Sequence, residues 1–387
     1  MSNYLTLFRK VRNHWLVRIF KSSIQLILRL LGIRVGVIAS NSIGHLIDEL
    51  ELSIVHSYTP KKDIWFLNDT ISNSTVWNQY KKEICVIGKG KSGSLFSRIL
   101  LSSTRGNRRA TANFPSTEVA IGLLDSYPPI LKVGSAQKMH TKRLLESNNI
   151  DTQKPLVLLC VRDEIYTKNR SRQSVFDETS YRNSDISNCE EMIDQLIELG
   201  YAVVRMGSEA KEWSYEKNNF WNYANSIFRS DETDVSLFDN CAFVVSTGTG
   251  VDELATAFRR RCYMFNLAPF IHARCSRLRP LYLPKSLAFH SSKKPLSLSQ
   301  INDLDLGNIR MTSRYLEYGI DLIEAPPSTL RAFAREVHHF EASGKIPHQS
   351  REVQEYFEEM ITRACFGAEY ATFFPKLSTL SLNYKIH

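Results

Sequence analysis

The sequence predicts an α/β protein built from two doubly wound parts, and three observations carry that prediction. Short apolar runs alternate with helix-length segments, the pattern of βαβ units on a parallel sheet. Three strands of the second half each end in a polar or glycine-rich signature, at the sheet edge where open α/β folds bind ligands. The chain has 387 residues, 43% hydrophobic and 23% charged. That is enough for two cores of ordinary size, and it is not a disordered composition.

Residues 4–32 mix Leu, Ile, Phe and Trp with Arg9, Lys10, Arg12, Arg18, Lys21 and Arg29. The basic residues interrupt any spanning stretch, and no small-residue cleavage site follows an apolar core. The segment reads as a basic amphipathic helix, lying either on an anionic membrane surface or against the protein itself. Arg34–Ala39 is the first predicted strand, Ser40–Gly44 its loop, and His45–Leu52 a helix with Leu46, Ile47 and Leu50 as apolar members. Asp63–Leu67 and Glu83–Gly88 are further strands. Between 89 and 150 the pattern weakens to a basic run, a Pro-rich turn at Tyr127–Pro129 and a helix near 137–148. The polar stretch Asn148–Pro155 marks a domain boundary.

The second half is clearer. Pro155–Val161 is a strand, and Cys189–Leu199 a helix stopped by Gly200. Tyr201–Gly207, Ala242–Ser246 and Arg261–Phe265 are the next strands. Pro326 and Pro327 open a helix over 328–341, and another covers 350–365. The expected division is a basic helix at 1–32, one Rossmann-like domain at 33–152, a second at 153–345 and a helical tail at 346–387.

A net charge of +9 favours anionic partners such as phosphates or an acidic membrane face. No nucleic-acid-binding module is visible. Seven cysteines are scattered without a CxxC pair, which indicates neither zinc nor a disulfide framework and points to a reducing cytoplasm. Cys85, Cys160 and Cys262 read as reduced core residues. HExxH, GxxxxGK before Ser or Thr, and GxSxG are absent, against a zinc protease, a P-loop ATPase or a serine hydrolase. Asp303-Leu-Asp305 follows no apolar strand and reads as a solvated turn.

The strongest signal is the strand Phe243–Val245 running into Ser246, Thr247, Gly248, Thr249 and Gly250, then Asp252 and Glu253 in a first helical turn. Small residues let a ligand approach the backbone, and N–H groups at a helix start suit phosphate. Arg162 and Asp163 end the preceding strand, and Arg205 and Gly207 end the one between. If the sheet takes the common strand order, Arg162 meets the glycine-rich turn at the point where that order reverses. A guanidinium fork there suits a diphosphate. Arg182 and Asn183 add hydrogen-bonding groups, while Asp185 or Ser187 caps the following helix. Asp234 is a capping candidate in the helix opened by Thr233–Leu237.

At these residues the chain resembles a bacterial family of glycosyltransferases found with surface-polysaccharide genes. Val161–Asp163 with Tyr166, Tyr181–Ile186, Gly200–Gly207 and Asp234–Pro269 carry the resemblance, with Arg34–Leu46 as a weaker match. Cys160 stands where typical members have histidine. The resemblance implies a GT-B-like architecture of two Rossmann-like domains, with a nucleotide sugar held mainly by the second. It implies transfer to a glycan or lipid-linked acceptor in surface polysaccharide biosynthesis, by a cytoplasmic protein that can sit peripherally on the inner face of the membrane. With no convincing metal motif and no cofactor expected, charge on the leaving phosphate falls to Arg162, Arg205 and loop N–H groups. His45 and Asp48 are the candidates for the base that takes the acceptor proton. A nucleotide-sugar epimerase and a non-catalytic sugar-binding assembly protein are the alternative readings.

Overall fold

A computed structural model describes residues 15–56, 63–68, 70–89, 121–165, 168, 178–345, 351–364 and 374–381. The chain forms two compact units, Met1–Phe114 and Pro115–His387.

In the first unit, helix α1 (Trp15–Leu30) precedes β1 (Val35–Ile38), α2 (Ile43–His56), β2 (Ile64–Leu67), α3 (Ser74–Tyr80) and β3 (Cys85–Lys89). The three strands are parallel, in the order β1-β2-β3. Arg34 is paired with buried Asp63, tying the starts of β1 and β2 together. Asn68 accepts the Ser40 N–H (2.8 Å) where both strands end. Asn73 caps α3 by accepting the Val76 N–H. One side of α1 is fixed, with Leu28 buried against Val35 and Phe66. Ile19, Phe20, Leu26 and Ile27 are more than half exposed and Leu30 is 78% exposed. Arg9, Lys10 and Arg12 lie outside the described residues. Among those described, no helix is long and apolar enough to cross a membrane.

The second unit begins with a 3-10 turn (Ile121–Ser126) and α4 (Ser135–Ser147). Then come β4 (Leu156–Cys160), α5 (Glu190–Glu198), β5 (Ala202–Met206), β6 (Phe220–Trp221) and α6 (Asp231–Asn240). β7 (Phe243–Ser246), α7 (Glu253–Ala257), β8 (Arg261–Leu267), β9 (Leu281–Pro284) and β10 (Ser286–Phe289) follow. The chain ends with α8 (Leu298–Asp303), α9 (Thr312–Glu317), β11 (Ile320–Ile323), α10 (Pro327–Ser343), α11 (Arg351–Ala364) and β12 (Lys376–Leu377). Seven strands make a parallel sheet in the order β12-β9-β8-β7-β4-β5-β6. β10 and β11 form a separate two-stranded antiparallel sheet.

The sheet is covered on both faces. Val157, Leu159, Val203, Val245 and Phe265 pack on Met192 and Leu196 of α5 and on Leu330, Phe333 and Val337 of α10. α4 and α6 lie together, joined by a buried hydrogen bond from Thr141 Oγ1 to Ser236 Oγ (2.8 Å). α4 thus belongs with the second unit, although the polar turn at 148–155 suggested a division after it. Pro327 opens α10 and Gly344 closes it at φ +67°, as expected of that Pro and Gly placement. The tail is not wholly helical, because β12 adds an edge strand beside β9. α6 starts at Asp231, two residues before the expected opening at Thr233, and is capped by Ser230. Asp234 is instead a buried partner of Tyr223 and Arg229.

Candidate functional site

The order of the sheet reverses at β4. Chain connectivity runs outward to β5 and β6 on one side and to β7, β8 and β9 on the other. A crevice forms beyond the carboxyl ends of such a central pair. Here Thr247 bridges that pair. Its N–H donates to the Cys160 carbonyl (3.0 Å), and its hydroxyl accepts the Arg162 N–H (2.8 Å). Arg162 is therefore fixed at its backbone beside the glycine turn. Its carbonyl accepts the Ser184 N–H (2.8 Å), which draws the segment 180–184 into the same place. Arg182 Nη2 donates to the Gly248 carbonyl (2.9 Å).

The turn itself is built from inside. Ser246 Oγ is hydrogen-bonded to the Asp252 carboxylate and accepts the Gly248 N–H (3.0 Å). Asp252 accepts the Thr249 N–H (3.1 Å), and Thr249 Oγ1 accepts the Asp252 N–H (3.3 Å). Gly250 and Val251 keep N–H groups with no partner among the described residues. Asp252 and Glu253 are buried and turned to the protein. Arg279, 2% exposed, pairs with Glu253 (3.2 Å) and stands 4.0 Å from Asp252. Arg274 pairs with Glu253 as well (2.7 Å). Burial raises the Asp252 carboxyl, and Arg279 opposes that rise. α7 has five residues, too few for a substantial dipole. Anion binding here rests on guanidinium groups more than on the helix start.

Arg205 is likewise turned inward. It is 1% exposed, it stands 3.5 Å from Asp163, and it donates to the Lys211 carbonyl and Asn225 Oδ1, both at 3.0 Å. Its guanidinium lies 5.7 Å from the Trp213 ring centroid. Asp163 in turn accepts the N–H groups of Ile165 (3.0 Å) and Lys211 (2.7 Å). These two residues hold the long connection from β5 to β6, and they do so from inside. A Cβ on Gly207 would meet those of Ala224 and Ala210 at 3.3 and 3.4 Å, and its carbonyl accepts Arg229 Nε (2.8 Å). Close packing accounts for that glycine.

What gathers at the crevice is a set of cations that sequence reading only half found. Tyr181 accepts nothing at its N–H but donates it to Thr312 Oγ1 (3.0 Å), which brings the nearby Arg310 loop to the 180–184 segment. The charges of Arg182, Arg310, Arg274 and Arg162 all act on His272. Burial first, then these arginines, push its imidazole well below the usual range, so it is neutral at pH 7. Lys285 is buried, donates to the Asn183 carbonyl, and stands 3.7 Å from Glu324. Arg182 Nε, Asn183 Oδ1 and Ser184 Oγ are buried without a hydrogen-bond partner among the described residues. Arg274, Arg310, His272 and Lys285 come from loops with no motif, so nothing in the sequence marks them.

In the first unit, His45 is exposed in the first turns of α2, while Asp48 is 6% exposed. The neighbouring Glu49 was missed. Its carboxylate accepts the Ala39 N–H at the carboxyl end of β1, and burial raises its pKa from 4.5 to about 7 against that bond. The native protein therefore holds an extra proton between those values, and stability falls as pH rises through that window. Glu49→Gln is expected to be more stable than wild type above pH 7, by roughly 1–3 kcal/mol, and to match it in mild acid. Urea unfolding at the two pH values measures the difference. Equal stabilities at both would show that Glu49 is not desolvated. Among the described residues, no three His, Cys, Asp or Glu side chains are placed to hold a metal ion.

No protein-family model matches this chain, and no curated protein matches it. Solved structures give weak likenesses. ADP-heptose LPS heptosyltransferase II from E. coli is 14% identical with a TM-score of 0.37, over 60% of this chain and 84% of that one. A family 9 glycosyl transferase from Veillonella parvula is 9% identical with a TM-score of 0.38, over 60% and 81%. A variant of the wall teichoic acid polymerase TagF is 13% identical with a TM-score of 0.29, over 99% and 95%.

Proposed function

We propose that this protein is a GT-B-like glycosyltransferase. It moves a sugar from a nucleotide-sugar donor to a glycan or lipid-linked acceptor of surface polysaccharide. One observation carries the reading: Arg162 and Arg182 converge with the Gly248 turn at the carboxyl ends of β4 and β7, where the strand order reverses. The second unit holds the donor diphosphate there. Guanidinium groups meet the charge that builds on the leaving phosphate, inside a site whose dipoles are already fixed. The base for the acceptor hydroxyl is assigned to the first unit, where exposed His45 and near-neutral Glu49 both lie on α2. A base titrating near 7 suits that task.

The test is a thermal-shift panel of UDP-, GDP-, CMP- and dTDP-sugars followed by a transfer assay with the donor that binds. Arg162→Ala is expected to weaken donor binding or turnover roughly 10- to 150-fold, the loss of one charge-assisted hydrogen bond. Its melting temperature should stay near that of wild type. A variant with wild-type affinity and rate would remove Arg162 from the site.

We also assign the exposed apolar side of α1 to an anionic bilayer. Ile19, Phe20, Leu26, Ile27 and Leu30 face solvent, and the same stretch of sequence holds Arg18, Lys21 and Arg29. Basic groups near such a surface contribute about 1 kcal/mol each. The protein should co-sediment with phosphatidylserine vesicles, and Phe20→Glu with Ile27→Glu should release it. Retention of the double variant would place the contact elsewhere.

A further inference from the structure

The segment 178–188 carries Arg182, and side chains from a single stretch of the chain, 285–324, hold it at both ends. At one end Glu178 accepts the Ser313 N–H (3.2 Å) and the Ser313 hydroxyl (2.8 Å). Thr312 Oγ1 accepts the Tyr181 N–H (3.0 Å). At the other end Lys285 Nζ donates to the Asn183 carbonyl. Glu324 accepts the Asp185 N–H (3.1 Å) and Asn188 Nδ2 (3.3 Å), and stands 3.7 Å from Lys285 Nζ. Between these ties Arg182 donates to the Gly248 carbonyl (2.9 Å), its one hydrogen bond among the described residues.

Lys285 is 4% exposed and lies between β9 and β10. Its own N–H donates to the Leu267 carbonyl at the end of β8 (3.2 Å). Leu267 is the residue that a Cβ on Gly248 would strike. One lysine thus joins the strand beside the glycine turn to the backbone next to Arg182. Burial pushes its ammonium below the usual range, and Glu324 pulls it back. A buried ion pair contributes little stability over apolar groups of similar size. What its directed bonds can add is a single conformation.

We propose that Lys285, backed by Glu324, is a positioning residue of the donor site: it sets the backbone at Asn183 so that the Arg182 guanidinium meets the donor diphosphate beside the Gly248 turn. The inference rests on the nucleotide-sugar reading above. Lys285 acts through Arg182, because its own ammonium is engaged by Asn183 and Glu324. Without it the Asn183 carbonyl loses its donor, the segment loosens in the middle, and Arg182 leaves the turn for part of the time. A displacement of about 1 Å in such a group can cost 100-fold in rate.

The experiment uses the full chain as Lys285→Met, as Lys285→Met with Glu324→Gln, as Arg182→Ala, and as Arg182→Ala with Lys285→Met. Removing both charges strands no carboxylate, so that variant should melt near wild type. Hydrogen exchange then needs no ligand. In the variant lacking both charges, amides of 181–185 should exchange about 10-fold faster, while those of β4 and α5 stay as in wild type. Unchanged exchange at 181–185 overturns the proposal. With the sugar nucleotide that gives the largest thermal shift, kcat/KM should fall roughly 10- to 100-fold in both variants that keep Arg182. Adding Lys285→Met to Arg182→Ala should cost nothing further, since no guanidinium is left to place. A merely structural lysine would instead multiply the two losses. Multiplied losses, or wild-type kcat/KM in the variant lacking both charges, overturn this proposal and leave the donor site standing. Failure of every sugar nucleotide to bind wild type overturns the nucleotide-sugar reading, and this proposal with it.

Discussion

Arg279→Met is expected to lower the melting temperature by roughly 6–20 °C, the largest loss from any single change in the second unit. The guanidinium is buried, paired with Glu253 and close to Asp252, and bonded to Thr256 Oγ1 (3.2 Å) and the Asp252 carbonyl (3.4 Å). Removing it leaves buried Asp252 without its cation and Glu253 with Arg274 alone. Breaking one side of such an arrangement costs about 3–5 kcal/mol, because the remaining charges stay buried. Adding Asp252→Asn and Glu253→Gln to the variant should recover much of the loss, since the stranded charges are gone. Thermal unfolding of the two variants decides the matter. An unchanged curve for Arg279→Met would show that the pair of acids is already neutral in the native protein.

Gly248→Val should damage both stability and donor binding. The residue has φ +83°, and an added Cβ would lie 2.5 Å from Leu267 Cδ1. A left-handed conformation costs an L residue about 1–2 kcal/mol, and forcing Leu267 aside adds a comparable amount. A total near 2–4 kcal/mol is expected, with Gly248→Ala showing a smaller loss. Loss of glycine's freedom where the backbone meets a ligand accounts for the binding defect. The close approach of β8 is what adds the second effect, and no sequence pattern reports it. Melting temperature and donor affinity, measured together, separate the two. A valine variant that melts as wild type would mean that Leu267 can move at no cost.

Much of the architecture is legible because its signals are local. The apolar runs at 156–160, 202–206 and 243–246 are short, β-branched or bulky, and bounded by Gly or polar residues. Strand order is the less local fact, and the common arrangement supplies it. The site is legible where it touches a strand end, as at Arg162 and Gly248. It is less legible at Arg205 for a physical reason: a position at the end of a strand fixes where a Cα lies, and neighbours fix where the side chain goes. Trp213, Asn222 and Asn225 reach back over β5 and take the guanidinium inward. The inward turn of Asp252 is hidden in the same way, since Arg279 is far from it in sequence. β9, the β10–β11 pair and β12 carry weak patterns because packing, rather than propensity, decides short strands.

The place of β4 at the middle of the sheet also governs when the protein can be finished during synthesis. Its two partners, β5 and β7, are both made later than it is. Neither can be replaced by anything upstream in the second unit. Until the ribosome has released Ser246, the LVLLC segment offers an open apolar edge to any other nascent chain. The outermost partnership is later still, because β12 reaches β9 from the last residues described. Pairings so distant along the chain close slowly. Expression at reduced temperature, or with chaperones that hold emerging chains, should therefore raise the soluble yield more than any change at the surface of the finished fold.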